Sequence, residues 1–199
     1  MDDRYSRQIL LPEIGLTGQE TLQQKKVVIV GIGALGTAAA ELLARTGVGN
    51  LCLIDRDVVE LNNLHRQILF EESDVGKSKA VAAKEKLTRI NSSIRITAEP
   101  IHLNLENISL LTKADLILDC TDNLETRFLI NDFCKKENLP WIYAAAIKTS
   151  GYAMPILAGQ PCLRCFLQEA SLDTCDTVGV LNTITCSIAA LQATLALKI

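Results

Sequence analysis

The apolar positions of this chain follow two rhythms. Continuous apolar runs, KVVIV at Lys26 to Val30, LCLID at Leu51 to Asp55 and DLILD at Asp115 to Asp119, predict strands covered on both faces, since a strand with one wet face alternates instead. Between them Ala34 to Arg45, Lys77 to Ile90 and Arg127 to Glu137 carry helical spacing, the first closed by Thr46-Gly47. Ile94 to Ala98 and Trp141 to Ala145 predict two more extended segments. Strands alternating with helices predict an α/β fold, a doubly wound, Rossmann-like, mainly parallel sheet, with a helical segment at the N-terminus. After Gly151 the texture changes to GYAMPILAGQPCLRC, which predicts an antiparallel or irregular extension. Helical spacing returns from Thr183 and runs to Leu197-Lys198-Ile199 with no Gly, Asn or Pro to close it. The expectation is a single domain, residues 1–199, truncated at its C-terminus in mid-helix.

Composition narrows the function classes. At 199 residues and 48% hydrophobic, the chain fills one core. A net charge of -3 without a block of like charges argues against a nucleic-acid partner or a membrane surface. There is neither an apolar run of membrane length nor a leader pattern at the N-terminus, so a cytoplasmic protein is expected. Seven cysteines, of which only Cys162 and Cys165 are closely spaced, suit reduced thiols better than a disulfide framework.

The chemistry starts at GIGALG. In a strand–turn–helix context Gly31 permits the tight turn, Gly33 lets the backbone approach a phosphate, and Gly36 allows close helix packing. Ala34 then opens a helix whose free N–H groups favour an anion. Asp55, 22 positions beyond Gly33, has the spacing of a ribose-binding carboxylate and suits NAD or ATP equally; Asp57 reads as a second acid there or as a loop carboxylate. The following VELNNLHRQILF separates the two cofactors. Asn62 and Asn63 can bond phosphate or ribose oxygens, Arg66 offers a planar fork, and Lys79 in VGKSKA adds a second cation. Either cation alone reads as part of a solvated face; together they suggest a triphosphate whose charge is managed during chemistry. In CTDN, Thr121 and Asp122 follow a buried strand at the end where ligands collect. Asp122 there either holds Mg²⁺ or caps the next helix. His65 and His102 are read as structural, and Cys52, Cys120, Cys134 and Cys186 as core packing.

RYSRQILL, GIGALG, DRDVVELNNLHRQILF, GKSKA, CTDN and PCLRC, in that order, resemble the ubiquitin-activating-enzyme superfamily, and more closely its bacterial ThiF/MoeB-type adenylyltransferases. The resemblance runs from about Arg4 to the last residue. It implies a single ATP-binding adenylation domain that activates the Gly-Gly tail of a small ubiquitin-fold sulfur-carrier protein, of the thiamine or molybdopterin pathway type, releasing pyrophosphate. Asp55 would bind ribose, Asn63, Arg66 and Lys79 the phosphates, and Asp122 Mg²⁺. Arg7 would reach a neighbouring subunit's site, which implies a homodimer. Cys162 and Cys165 would be half of a Zn²⁺ site, completed only by a second CxxC that this sequence does not contain. Cys175 aligns with a cysteine that some members link covalently to the carrier. The competing expectations are an NAD-dependent oxidoreductase, an enzyme adenylating a small-molecule or tRNA-linked carboxylate, and a catalytically silent partner subunit.

Overall fold

The computed structural model describes residues 3–167 and 175–199. In chain order its helices and strands are α1 (Ser6–Ile9), α2 (Gly15–Gln24), β1 (Lys26–Val30), α3 (Ala34–Thr46), β2 (Asn50–Ile54), α4 (Lys79–Ile90), β3 (Arg95–Glu99), β4 (Leu116–Asp119), α5 (Leu124–Glu137), β5 (Trp141–Ile147), β6 (Ser150–Ile156), α6 (Leu163–Phe166), α7 (Cys175–Val178) and α8 (Asn182–Lys198). The strands form one sheet in the order β3-β2-β1-β4-β5-β6, in which neighbours from β3 to β5 run parallel and β6 returns antiparallel to β5. Order reverses between β1 and β4, so a crevice opens at their carboxyl ends.

The continuous apolar strands are explained by two cores. Val27 and Ile29 of β1, with Leu51 and Leu53 of β2, face one core, which also takes side chains of α3, α4 and α8. Val28, Val30, Cys52 and Ile54 face the other, with Ile130 and Cys134 of α5 and with Trp141. Neither face of the central strands is left for polar residues. Helix α8 packs against α3, β5 and β6 through Thr185, Ile188, Ala189, Gln192 and Ala193, and leaves Thr183, Ser187, Ala190, Leu191 and Thr194 exposed.

Element ends follow local chemistry. α3 stops where Gly47 takes φ 87° and its N–H bonds the carbonyls of Leu43 and Ala44. α4 begins at Lys79, two residues later than the spacing predicts, because Ser78 stays extended and bridges Val58. α5 begins three residues earlier than predicted, with Asn123 as cap accepting the N–H of Thr126 at 2.9 Å. The antiparallel extension is β6. Cys52, Cys120 and Cys134 are buried as expected, and burial pushes the Cys134 thiol up to about 12; Cys186 is only half-buried. The N-terminal turn is pinned by buried Tyr5, whose hydroxyl accepts a bond from Asn91 at 2.8 Å, and by Gln8, which bonds Gln19 and the carbonyl of Thr46. Among the described residues no helix is long and apolar enough to cross a membrane.

Candidate active site

The crevice at the sheet's mouth has a volume of about 1150 Å³. Its base is the glycine turn. Gly31 leaves β1 at φ 87°, and a Cβ there would stand 2.7 Å from the carbonyl oxygen of Cys120 on β4's extension, so the residue satisfies both the backbone conformation and the close approach. Gly33 precedes α3, whose first turn has no side-chain cap and no acid, leaving its N–H groups to an anion. A Cβ on Gly36 would overlap the Gly31 carbonyl, which fixes the helix against the turn.

Asp55 braces this turn. Its Oδ2 accepts the Ile32 N–H at 2.6 Å and its Oδ1 the Asp57 N–H at 2.8 Å, leaving each oxygen further acceptor capacity on the crevice side. Burial raises its pKa, opposed by those two bonds and by Lys79. Lys79 is buried and reaches the exposed Asp57 at 3.2 Å, while Arg56 lies 3.6 Å from the same carboxylate. Asn63 is buried and closes a reciprocal cap with Glu60, its Nδ2 donating to Asn62 at 2.6 Å. Arg66 is held by a 2.9 Å bond to the Asn62 carbonyl, with His65 Nε2 also 2.9 Å away.

On the β4 side, Asn123 takes the capping position, so Asp122 is exposed on the crevice rim with no side-chain bond among the described residues. An unpartnered hard carboxylate on a crevice rim fits the usual mode of Mg²⁺ binding. Thr121 is turned inward, its hydroxyl donating to buried Asp119 at 2.7 Å. Beneath it, Arg127 bonds the Thr121 carbonyl at 2.6 Å, lies over the Tyr143 ring, and approaches Asp119 at 3.5 Å. Burial raises the Asp119 pKa against the pull of Arg127. The opposite half of the crevice is different in kind: Tyr143, Ala145, Ala146, Ile147, Gly151 and Tyr152 line it without an ionised group.

Gly31, Gly33, Ala34, Asp55, Asp57, Asn62, Asn63, Arg66, Lys79, Thr121 and Asp122 therefore all line one crevice, with Gly36 directly behind. Four further residues there, Arg56, Gln67, His102 and Arg127, are not signalled by spacing. His102, read as structural, lines the crevice with Nδ1 3.5 Å from Arg56. Arg7 is exposed on α1, away from its own chain's crevice. Cys162 and Cys165 place their thiols 3.8 Å apart. Burial raises the Cys162 pKa, but bonds from the Arg164 and Cys165 backbone and from the Cys165 and Asn131 side chains bring it below the ordinary value. Among the described residues no group of three or more potential ligands could hold a metal, so the pair does not make a zinc site by itself. The Cys175 side chain lies outside the described residues.

The model of the ThiF family matches residues 5–199. The chain belongs to the ThiF family. It is 43% identical to the sulfur carrier protein ThiS adenylyltransferase of Bacillus subtilis, over 100% of this chain and 61% of that protein. It is 40% identical to the adenylyltransferase and sulfurtransferase MOCS3 of Danio rerio, over 98% of this chain and 44% of that protein. Among solved structures, E. coli MccB with ATP superposes with a TM-score of 0.84 at 29% identity, covering 100% of this chain and 63% of that one. The chain thus spans less than two thirds of the length of each of these three. Family membership and the Rossmann-like superposition agree with the fold expected from the sequence, and none of these three relatives favours the oxidoreductase alternative.

Proposed function

We propose that this chain uses ATP to adenylate the C-terminal carboxylate of a small ubiquitin-fold sulfur-carrier protein ending in Gly-Gly, releasing pyrophosphate. The observation that carries this reading is that Arg66, Lys79 and Asp122, from three separate segments, line one crevice with a bare helix N-terminus at its base and a non-ionic wall opposite. The names of the Bacillus and Danio relatives point the same way.

The nucleotide's phosphates rest on the turn at Gly33 and the first N–H groups of α3. Arg66 and Lys79 neutralise charge on the polyphosphate, and Asp55 accepts from ribose hydroxyls. The extended tail lies along β5 and β6, where Ala145 and Ala146 present little side-chain bulk. Its terminal carboxylate oxygen attacks the α-phosphorus, a new P–O bond forms, the bond to pyrophosphate breaks, and an acyl-adenylate results. Attack by an anion on a polyanion requires positive charge held in position beforehand. Asp122 would hold Mg²⁺, which would supply positive charge to offset that of the departing pyrophosphate. Arg7, displayed outward by a turn clamped at Tyr5 and Gln8, would complete the site of a second copy in a homodimer.

The test is ATP–pyrophosphate exchange with the full chain and a carrier ending in Gly-Gly. Exchange should depend on carrier and on Mg²⁺, and Arg66→Ala should lower it by at least about 100-fold with thermal stability unchanged. Exchange at the wild-type rate in Arg66→Ala would reject the role.

A further inference from the structure

Strands β4 and β5 run side by side only as far as the pair Asp119 and Tyr143. Beyond it the extension of β4 turns to other partners: the Cys120 N–H bonds the Val30 carbonyl of β1 at 2.8 Å, and the Thr121 N–H bonds the Asp119 carboxylate at 3.0 Å. β5 continues to Ile147 paired with β6. The two strands therefore diverge at the crevice, with Thr121 and Asp122 on one side of the gap and Ala145 and Ala146 on the other. Carbonyls along such a gap have no ladder donor opposite them, and buried ones need a replacement.

Two side chains supply it, one from each layer packed on the sheet. Gln192 of α8 is fully buried; its Nε2 donates to the Asp119 carbonyl at 2.9 Å and to the Ile142 carbonyl at 3.0 Å, and its Oε1 accepts from the Cys120 thiol at 3.2 Å. Helix α5 packs on the opposite face, and from it the Nη2 of Arg127 donates to the Thr121 carbonyl at 2.6 Å and approaches the Ala144 carbonyl at 3.5 Å. Each side chain thus holds one carbonyl of β4 or its extension and one of β5. Both amide hydrogens of Gln192 are spent on this clasp.

Resting on the adenylation reading, we infer that Gln192 and Arg127 are positioning residues that set the distance between the two walls of the crevice, and with it the approach of the carrier carboxylate to the α-phosphorus. In that reaction the nucleotide rests on the glycine turn and its neighbouring cations, while the tail rests on the hairpin. The two reactants are held by different walls, so their meeting depends on the spacing of the walls and each one's own contacts do not. A misplacement of about 1 Å between reacting groups costs on the order of 100-fold in rate. Loss of the clasp therefore lowers kcat and spares both KM values.

The experiment compares the full wild-type chain with three variants. Gln192→Met keeps the shape and removes both donors, Arg127→Lys keeps the charge and gives up the planar fork, and Leu87→Ala is a core change in α4, which packs against α3, β2 and β3. All three should lower the melting temperature, Gln192→Met because the Asp119 and Ile142 carbonyls lose their donor. In carrier-dependent ATP–pyrophosphate exchange, kcat should fall about 100-fold in Gln192→Met and about tenfold in Arg127→Lys, with both KM values within about twofold of wild type, and stay at the wild-type level in Leu87→Ala. Hydrogen exchange of residues 119–123 in the unliganded chain should quicken about tenfold in the first two and not in the third. Wild-type kcat in either clasp variant would overturn the inference, as would a raised KM at unchanged kcat or unchanged hydrogen exchange. Arg127→Lys carries the test alone if Gln192→Met does not fold. A wild-type chain without exchange activity would instead overturn the function proposed above, and hydrogen exchange would still read the clasp.

Discussion

The two walls of the crevice are built on different physical plans. The segment between β2 and α4 is irregular yet densely cross-tied. Asp55 bonds Ile32, Lys79 bonds Asp57, Val58 bridges Ser78, and Lys86 on α4 reaches Glu71 and Asp74 at 2.7 and 2.8 Å. The opposite wall, the β5–β6 hairpin, carries small apolar residues and an exposed Tyr152, and its tip is joined to the chain near Val180 through the backbone of Lys148. A wall that handles dense charge gains from holding donors still before the ligand arrives, since reorganising dipoles raises a barrier. A wall that receives an extended peptide needs open backbone and little bulk. Loop irregularity is thus no measure of looseness here.

Breaking the charged wall at its base should have the largest effect. Gly36→Val drives a side chain into the Gly31 carbonyl and should reduce unfolding free energy by about 3 kcal/mol in denaturant titration, with ATP binding lost. Cutting a cross-tie comes next. Lys86→Met leaves buried Asp74 with Lys77 as its one remaining cation and the Glu71 N–H as a donor, and should cost about 2 kcal/mol near neutral pH. The pH dependence sharpens this. Burial raises the Asp74 pKa, but bonds from Lys86, the Glu71 N–H and Lys77 bring it below the ordinary value, and Lys86 also lowers that of Glu71. Groups with depressed folded-state pKa values stabilise above their unfolded pKa, about 4, and that contribution is lost as pH falls through the lowered folded value. The gap in melting temperature between wild type and Lys86→Met should therefore narrow from about pH 4 downward.

Changes to the hairpin wall should be milder in stability and separate in function. A Cβ on Gly151 would meet Ile188 Cγ1 at 2.5 Å and the Ala145 carbonyl at 2.8 Å, and Gly151→Ala should cost about 1 kcal/mol by the same denaturant measurement. Tyr152→Ala, at a side chain 70% exposed, should change stability by under about 0.5 kcal/mol. It should leave the Kd for ATP unaltered while raising the KM for the carrier. A raised Kd for ATP in that variant would undo the division of the crevice into two walls.

Much of the charged wall was visible in the amino-acid order because a glycine turn, a carboxylate after the second strand and a cation pair have characteristic spacings. Gln67 and Arg127 were not visible. Gln67 stands beside Arg66 with nothing in its own residue type to mark it; in the fold it is buried at the crevice, and its Oε1 has no hydrogen-bond partner among the described residues. Arg127 opens an expected helix in the sequence, but in three dimensions its guanidinium ties Thr121 of β4's extension while lying over Tyr143 of β5. Asp122 carried two equal readings, helix cap or Mg²⁺ ligand, and the cap of α5 is supplied by Asn123 instead.

Periodicity, glycine placement and uninterrupted apolar runs specify the alternating strands and helices, because each depends on a residue and its near neighbours. They leave open which side chains meet at the mouth of the sheet. Strand order brings β1 beside β4, residues about ninety positions apart in the chain, and so puts Arg66 and Asp122 on one crevice. Burial and bond satisfaction belong to that meeting of distant segments: whether a carboxamide finds a partner depends on everything packed around it, a quantity no local pattern encodes.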